Sequence, residues 1–110
     1  MTLYYEFRRT TFTNYCLIKH GDYFTNPEGL NVELMTPGAF YLEIISDTGQ
    51  VLKYYKNNPR GGWTSFYFDG GGLDDKGQFF PPLRGRYKFK LVNASPGPKK
   101  ILQGSLDYGA

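Results

Sequence analysis

The residue types best suited to binding a ligand gather around the single tryptophan. Trp63 follows Gly61-Gly62 and opens an aromatic strand predicted over residues 63–68. Flat aromatic faces stack on the apolar faces of sugar rings, and a few placed amide or guanidinium groups can hydrogen-bond the hydroxyls. The predicted carbohydrate site consists of Trp63, Tyr54, Tyr55, Asn57, Asn58, Arg60 and Tyr67. The competing interpretation makes Trp63 a core residue whose indole N–H donates to a backbone carbonyl.

Three carboxylates form a second candidate site. Asp69, Asp74 and Asp75 flank or follow the run Gly70-Gly71-Gly72. Carboxylate oxygens are ligands that calcium prefers, so this segment is a candidate calcium site, although the spacing of an EF-hand loop is absent. The alternative is a solvated loop bent by its glycines. We predict no other cofactor.

Zinc binding and catalysis find less support. Cys16, His20 and Asp22 lie within seven positions, but a zinc site needs four ligands, or three and a water. We therefore predict that His20 is a surface turn residue. Nucleophilic catalysis needs a base beside the nucleophile, and glycoside hydrolysis needs two opposed carboxylates. Neither arrangement is evident, so the sequence predicts a protein that is not an enzyme.

The composition favours strands. The 110 residues include 10 tyrosines, 9 phenylalanines, 14 glycines and 7 prolines. Aromatic residues favour pleated surfaces, glycine and proline mark tight turns, and no window shows a sustained helical period. We predict one domain over residues 1–110. Its expected fold is an all-β antiparallel sandwich of about eight strands, either jelly-roll or immunoglobulin-like.

Alternating apolar residues locate most of the strands. A first strand is predicted over 3–13, a short one over 15–19, and a turn at Asn26-Pro27-Glu28-Gly29. The segment 39–46 is the most apolar, so we expect it in the middle of a sheet. Further strands are predicted over residues 30–35, 50–55 and 63–68.

The C-terminal quarter shows the clearest alternation. Tyr87, Phe89 and Leu91 alternate with Arg86, Lys88 and Lys90, which is typical of a half-buried strand. The segment 93–98 contains two prolines and a glycine, and apolar residues resume at Ile101, Leu102, Leu106 and Tyr108. We predict an antiparallel hairpin whose two strands pair with each other.

Charge and cysteine content limit the partners. The net charge is +3, and in residues 86–90 the bases and aromatics fall on opposite faces, whereas a single-strand nucleic-acid platform needs them on one face. We therefore expect no nucleic acid partner. One cysteine cannot form an intramolecular disulfide, and no apolar run is long enough to span a bilayer. The compartment stays open, with secretion or a cell or virion surface favoured.

Two functional hypotheses follow. The first is a binding module that recognises carbohydrate or a cell-surface ligand through the loop end carrying Trp63. The alternative is a structural or protein-interaction subunit of a virion, appendage or coat, because the aromatic residues exceed what one small core can bury. The second hypothesis allows a homo-oligomer. Insertion of the aromatic domain into a membrane is a more distant third.

Overall fold

The computed structural model describes residues 2–68, 70–73, 79–80 and 82–109. A single 3₁₀ turn, Ile18–Gly21, accompanies the strands of this part of the chain. The strands are β1 (Thr2–Phe7), β2 (Thr10–Phe12), β3 (Tyr15–Leu17), β4 (Phe24–Thr25), β5 (Pro27–Leu34), β6 (Phe40–Ser46), β7 (Val51–Lys56), β8 (Gly62–Tyr67), β9 (Gly72–Leu73), β10 (Phe79–Phe80), β11 (Arg86–Asn93) and β12 (Lys99–Gly109).

Two antiparallel sheets pack face to face. In sheet I, β1 and β2 line one edge of β12, and β5 and β8 follow on its other side. In sheet II, β3 and β4 line one edge of β11, and β6 and β7 follow. Strands β9 and β10 pair only with each other within the described residues. The predicted all-β sandwich is confirmed, and β6 has a neighbour on each side, as expected for the most apolar strand.

The strand order distinguishes between the two predicted sandwich types. With β1 and β2 counted as one position and β3 and β4 as another, eight positions remain in the two sheets. Sheet I has the order first, eighth, third, sixth, which corresponds to β1/β2, β12, β5 and β8. Sheet II has the order second, seventh, fourth, fifth, which corresponds to β3/β4, β11, β6 and β7. This is the order of a jelly roll, whereas immunoglobulin domains pair their strands as ABED and CFG.

The predicted C-terminal hairpin is wrong in its pairing. β11 pairs with β3, β4 and β6 in sheet II, and β12 pairs with β1, β2 and β5 in sheet I. The segment between them carries the chain from one sheet to the other. Asn93 holds it, because its Nδ2 donates to the carbonyl oxygens of Gly97 at 2.7 Å and Thr13 at 2.9 Å. Alternation fixes which face of a strand is buried, but it does not choose the neighbouring strand.

Two predicted boundaries also differ. The expected turn at 26–29 is instead the start of β5, with Asn26 in a left-handed conformation just before it. Proline is tolerated as the first residue of a strand, where its missing N–H breaks little of the ladder. The single strand expected over 3–13 is divided into β1 and β2 at Arg8 and Arg9.

The core lies between the inner faces of the two sheets. Leu30, Val32 and Leu106 of sheet I pack with side chains of sheet II that include Ile44 and Phe89. A register shift between Ile101 and Gln103 is a β-bulge in β12. It changes the burial alternation, so that Ile101 and Leu106 both face the core while the expected inward residue Leu102 is half-buried.

Candidate functional site: the two outer faces

The structure separates the residues of the predicted carbohydrate site. Trp63 and Tyr67 share the outer face of β8, where they are 56% and 72% exposed. Tyr54 lies on the inner face of β7, with its ring centroid 5.9 Å from that of Phe66. Tyr55 points outward from sheet II, on the opposite side of the sandwich. The aromatic members therefore do not form one platform.

The polar members lie on the connection between β7 and β8. Asn57 and Arg60 are exposed, whereas Asn58 is only 8% exposed. The backbone carbonyl of Asn58 accepts a 2.7 Å hydrogen bond from the Gly38 amide. Asn58 thus ties two loops together at the end of the sandwich.

The outer face of sheet I, called face I below, consists of three rows of paired residues. The rows are Tyr4–Asp107–Gly29–Tyr67, Glu6–Ser105–Asn31–Ser65 and Gln103–Glu33–Trp63. Small side chains occupy the middle, and the aromatic residues stand on the two edge strands. These paired positions, all in described strands, carry three carboxylates and no base. Arg8 and Lys100 border the face at one end.

Hydrogen bonds hold the floor of face I. Ser65 donates to Asn31 Oδ1 at 2.7 Å, and Gln103 Nε2 donates to Glu33 Oε1 at 2.9 Å. A depression of about 280 Å³ lies beside Trp63, with Glu6, Arg8, Gln103 and Ser105 in its walls. Trp63 is therefore part of a polar depression, with companions that the sequence did not indicate.

Asp107 adds negative potential to one row of face I. Burial raises the pKa of its carboxyl above the ordinary value, and the neighbouring charge of Glu28 raises it further. Glu28 Oε1 accepts a 2.9 Å hydrogen bond from the Thr2 hydroxyl. Glu28 occupies a register irregularity of β5 beside Asp107, so a fourth carboxylate borders face I.

The outer face of sheet II, called face II below, has a different composition. Its rows are Tyr15–Val92–Tyr41–Tyr55, Leu17–Lys90–Glu43–Lys53 and Lys88–Ile45–Val51, with Arg86 and Thr25 beyond them. The first row is apolar or aromatic across the whole sheet. Four bases and one acid occupy these paired positions. Face II is therefore apolar and cationic, where face I is polar and anionic.

Ionic and aromatic contacts order the side chains of face II. Glu43 lies between two bases, with Lys53 Nζ at 3.4 Å from Oε2 and Lys90 Nζ at 3.8 Å from Oε1. Lys90 Nζ also lies 4.4 Å from the ring centroid of Tyr15. The Tyr41 and Tyr55 rings meet edge to face at 5.2 Å. The guanidinium of Arg86 lies 4.9 Å from the Tyr23 ring centroid at the margin of the face.

Face II was not predicted from the sequence as a binding surface. The signal was present, since alternation in 39–46 places Tyr41 and Ile45 opposite the buried Phe40, Leu42 and Ile44. A solvated sheet face is expected to be polar at such positions. Recognising the patch also required knowing that β3, β6, β7 and β11 lie side by side.

The structure does not test the candidate calcium site. Asp69, Asp74 and Asp75 lie outside the described residues. Among the described residues, no three or more His, Cys, Asp and Glu side chains are grouped to hold a metal ion. His20 is exposed in the 3₁₀ turn, and burial raises the pKa of the Cys16 thiol. No helix in the described ranges is long and apolar enough to cross a membrane.

Comparison with known proteins gives a likeness of fold. No protein-family model and no curated protein matches the chain. Among solved structures, FlgD from Xanthomonas campestris matches with a TM-score of 0.50 and 19% identity, over 91% of this chain and 69% of that one. FlgD from P. aeruginosa matches with a TM-score of 0.48 and 24% identity, over 91% and 72%. At these identities the likeness concerns the two-sheet sandwich alone.

Proposed function

We propose that this chain is a non-catalytic structural subunit that binds a protein partner in a larger assembly, through face II. The observation that carries the proposal is the grouping of exposed apolar side chains on one sheet face. Tyr15, Leu17, Val51 and Tyr55 are exposed there, and Tyr23 is exposed at its margin. Half-buried Tyr41, Ile45 and Val92 join them into one patch.

A sheet face that is exposed to water is normally polar. An antiparallel sandwich buries its inner faces and usually presents polar residues outward. Contiguous apolar patches on a soluble domain mark contact surfaces, and tyrosine is enriched in such contacts. The paired Tyr41 and Tyr55 rings and the lysines lying over Tyr15 and Tyr23 hold the patch in one arrangement before binding, which reduces the entropy lost on association.

The fold comparison supports a proposal for the kind of assembly to which this subunit belongs. Jelly rolls serve both as lectins and as capsid subunits, so fold by itself does not choose between the two hypotheses. Xanthomonas campestris FlgD, which shares the sandwich, is described as concerned with hook capping in flagellar assembly. We propose an extracellular appendage or coat as the setting for this chain.

Site-specific photo-crosslinking in the source organism tests the proposal. A photoreactive residue replaces Tyr55 on face II, and a matched one replaces Arg60, which is exposed on a loop outside both faces. We expect a discrete protein adduct from position 55 and none from position 60. No adduct from position 55, or the same adducts from both positions, would contradict the proposal.

Trp63 fluorescence tests the carbohydrate hypothesis independently. Trp63 is the single tryptophan and is exposed, so its emission reports on face I alone. We expect no saturable shift with a panel of polysaccharides and small sugars. A saturable shift with one sugar class, abolished by Gln103→Ala in the wall of the depression, would replace the proposal with carbohydrate recognition beside Trp63.

A further inference from the structure

We infer that the partner of face II is face I of a second copy of this chain, so that the subunits associate head to tail. This inference rests on the proposed function and names its partner. It is drawn from the two outer faces of one sandwich, which are complementary in charge and in the placement of large and small side chains.

The charges of the two faces are opposite. Face II presents Lys53, Lys88, Lys90 and Arg86 against the single carboxylate of Glu43. Face I presents Glu6, Glu33 and Asp107, with Glu28 beside them and two bases, Arg8 and Lys100, only at one end. Opposed potentials attract two surfaces and fix their relative orientation, whereas like charges placed face to face repel each other. Pairing of face II with face II, or of face I with face I, would bring like charges together.

The large and small side chains are distributed differently on the two faces. The middle of face I is built from Gly29, Asn31, Ser65 and Ser105, with aromatic residues at its two edges. Face II carries its aromatic row, Tyr15–Val92–Tyr41–Tyr55, across all four strand positions. Large rigid side chains opposite a floor of small ones give the close packing that interface centres show.

The position of the faces determines the kind of assembly. They lie on opposite sides of one sandwich, so a contact of face II with face I joins two different surfaces. Such a heterologous contact leaves one free face at each end of every dimer. Further copies add until a rotation closes a ring or an open filament grows. Either product suits a structural subunit.

The size of the faces sets the concentrations for the test. Four strands about 4.8 Å apart and strands of about eight residues give a face of about 500 Å². This is below the roughly 800 Å² that each partner contributes to a standard interface. We therefore expect a weak, concentration-dependent association and follow it over a wide range, from about 10 to 500 μM.

Sedimentation velocity of the purified full chain tests the inference with paired charge reversals. The face II variant is Lys53→Glu/Lys88→Glu, and the face I variant is Glu6→Lys/Glu33→Lys. The control, Arg60→Glu/Arg84→Glu, matches the net charge change of the face II variant at exposed positions outside both faces. Thermal melts confirm that each variant is folded.

We expect the wild-type chain and the control to associate with rising concentration. Each face variant alone should have a dissociation constant raised by about tenfold or more. In an equimolar mixture of the two face variants, each variant carries one altered face and one native face. The native face II of the Glu6→Lys/Glu33→Lys variant meets the native face I of the Lys53→Glu/Lys88→Glu variant, so we expect a 1:1 heterodimer. The two altered faces also carry opposite charges, but face II is then only weakly anionic, so growth beyond the heterodimer should be weaker than in the wild type.

Three results would overturn the inference. The first is a wild-type chain that stays monomeric up to about 500 μM. The second is a face I variant that still associates, and the third is a mixture that forms no heterodimer. The identity of the protein crosslinked to position 55 shows whether the proposed function fails together with self-association. An adduct with a different protein overturns self-association and leaves the assembly role intact, whereas no adduct overturns both.

Discussion

The two outer faces of the sandwich are built on similar four-position sheets, yet they present opposite chemistry to solvent. Face I has hydrogen-bonded small polar residues at its centre and carboxylates around them. Face II has an uninterrupted row of tyrosines and valine next to a row in which Glu43 bridges two lysines. A domain that needed only to stay folded and dissolved would gain nothing from this difference, since both inner faces already supply the core.

In the proposed function, binding takes place on the outer faces of the sheets. Both sheets contribute closely packed aliphatic and aromatic residues to the same core. We therefore expect stability to depend on the two sheets alike, and the proposed binding to depend on how their outer faces differ.

The largest expected effect is in the shared core. Leu106→Ala in β12 and Leu91→Ala in β11 each remove a fully buried side chain, and each should lower the free energy of unfolding by about 2–5 kcal/mol. Leu17→Ala, on face II, should cost less than about 1 kcal/mol. Urea denaturation measures all three. A buried substitution that costs no more than Leu17→Ala would show that the sheets do not contribute alike.

An intermediate effect on the free energy of unfolding is expected at Lys99, a buried base on the inner face of sheet I. Lys99 is only 1% exposed, and its Nζ lies 3.4 Å from the Pro37 carbonyl oxygen. A buried ammonium with so little compensation is costly. Lys99→Met should raise the free energy of unfolding by about 1–2 kcal/mol at neutral pH. Lys100→Met, at the next and exposed position, should leave it nearly unchanged.

The pH dependence of the Lys99→Met effect has a definite sign. Burial lowers the pKa of Lys99 in the folded chain below 10.5. Between the folded pKa and 10.5 the unfolded chain binds more protons, so the wild type gains stability as pH rises. The advantage of Lys99→Met should therefore shrink as pH approaches 10.5. An advantage that grows with pH would contradict the assignment.

The smallest effect is expected on face I. Burial, and then the charge of Glu28, raise the pKa of Asp107 above 3.8. Between 3.8 and the folded pKa the folded chain binds more protons, so this carboxyl adds stability as pH falls. Asp107→Asn should be slightly more stable than wild type at neutral pH, and the difference should disappear in acid.

Carboxyl titration by NMR gives the matched measurement. Glu28→Gln keeps an oxygen that can accept the Thr2 hydrogen bond, but it removes the charge. The Asp107 pKa should then fall part of the way towards its ordinary value, because burial still raises it. An unchanged pKa would mean that Glu28 does not contribute to the anionic character of face I.

The sequence determined which residues face inward and where most strands lie. Phe40, Leu42, Ile44, Phe89 and Leu91 are all buried as the alternation predicts, because a pleated strand places every second side chain on the same side. Glycine also permits tight turns for a local reason, as at the left-handed Gly49 between β6 and β7. These properties depend on neighbours within a few residues along the chain.

Only the tertiary structure decided which strands lie together and therefore what each outer face presents. The hairpin expected over 85–108 is a crossover between sheets, since a strand's own pattern does not select its hydrogen-bonding partner. Trp63 and Tyr55, eight positions apart, lie on opposite faces, whereas Tyr15, Tyr41, Tyr55 and Val92 come together from four distant segments. A surface patch on a sheet is a property of strand order, and strand order is set by long-range packing.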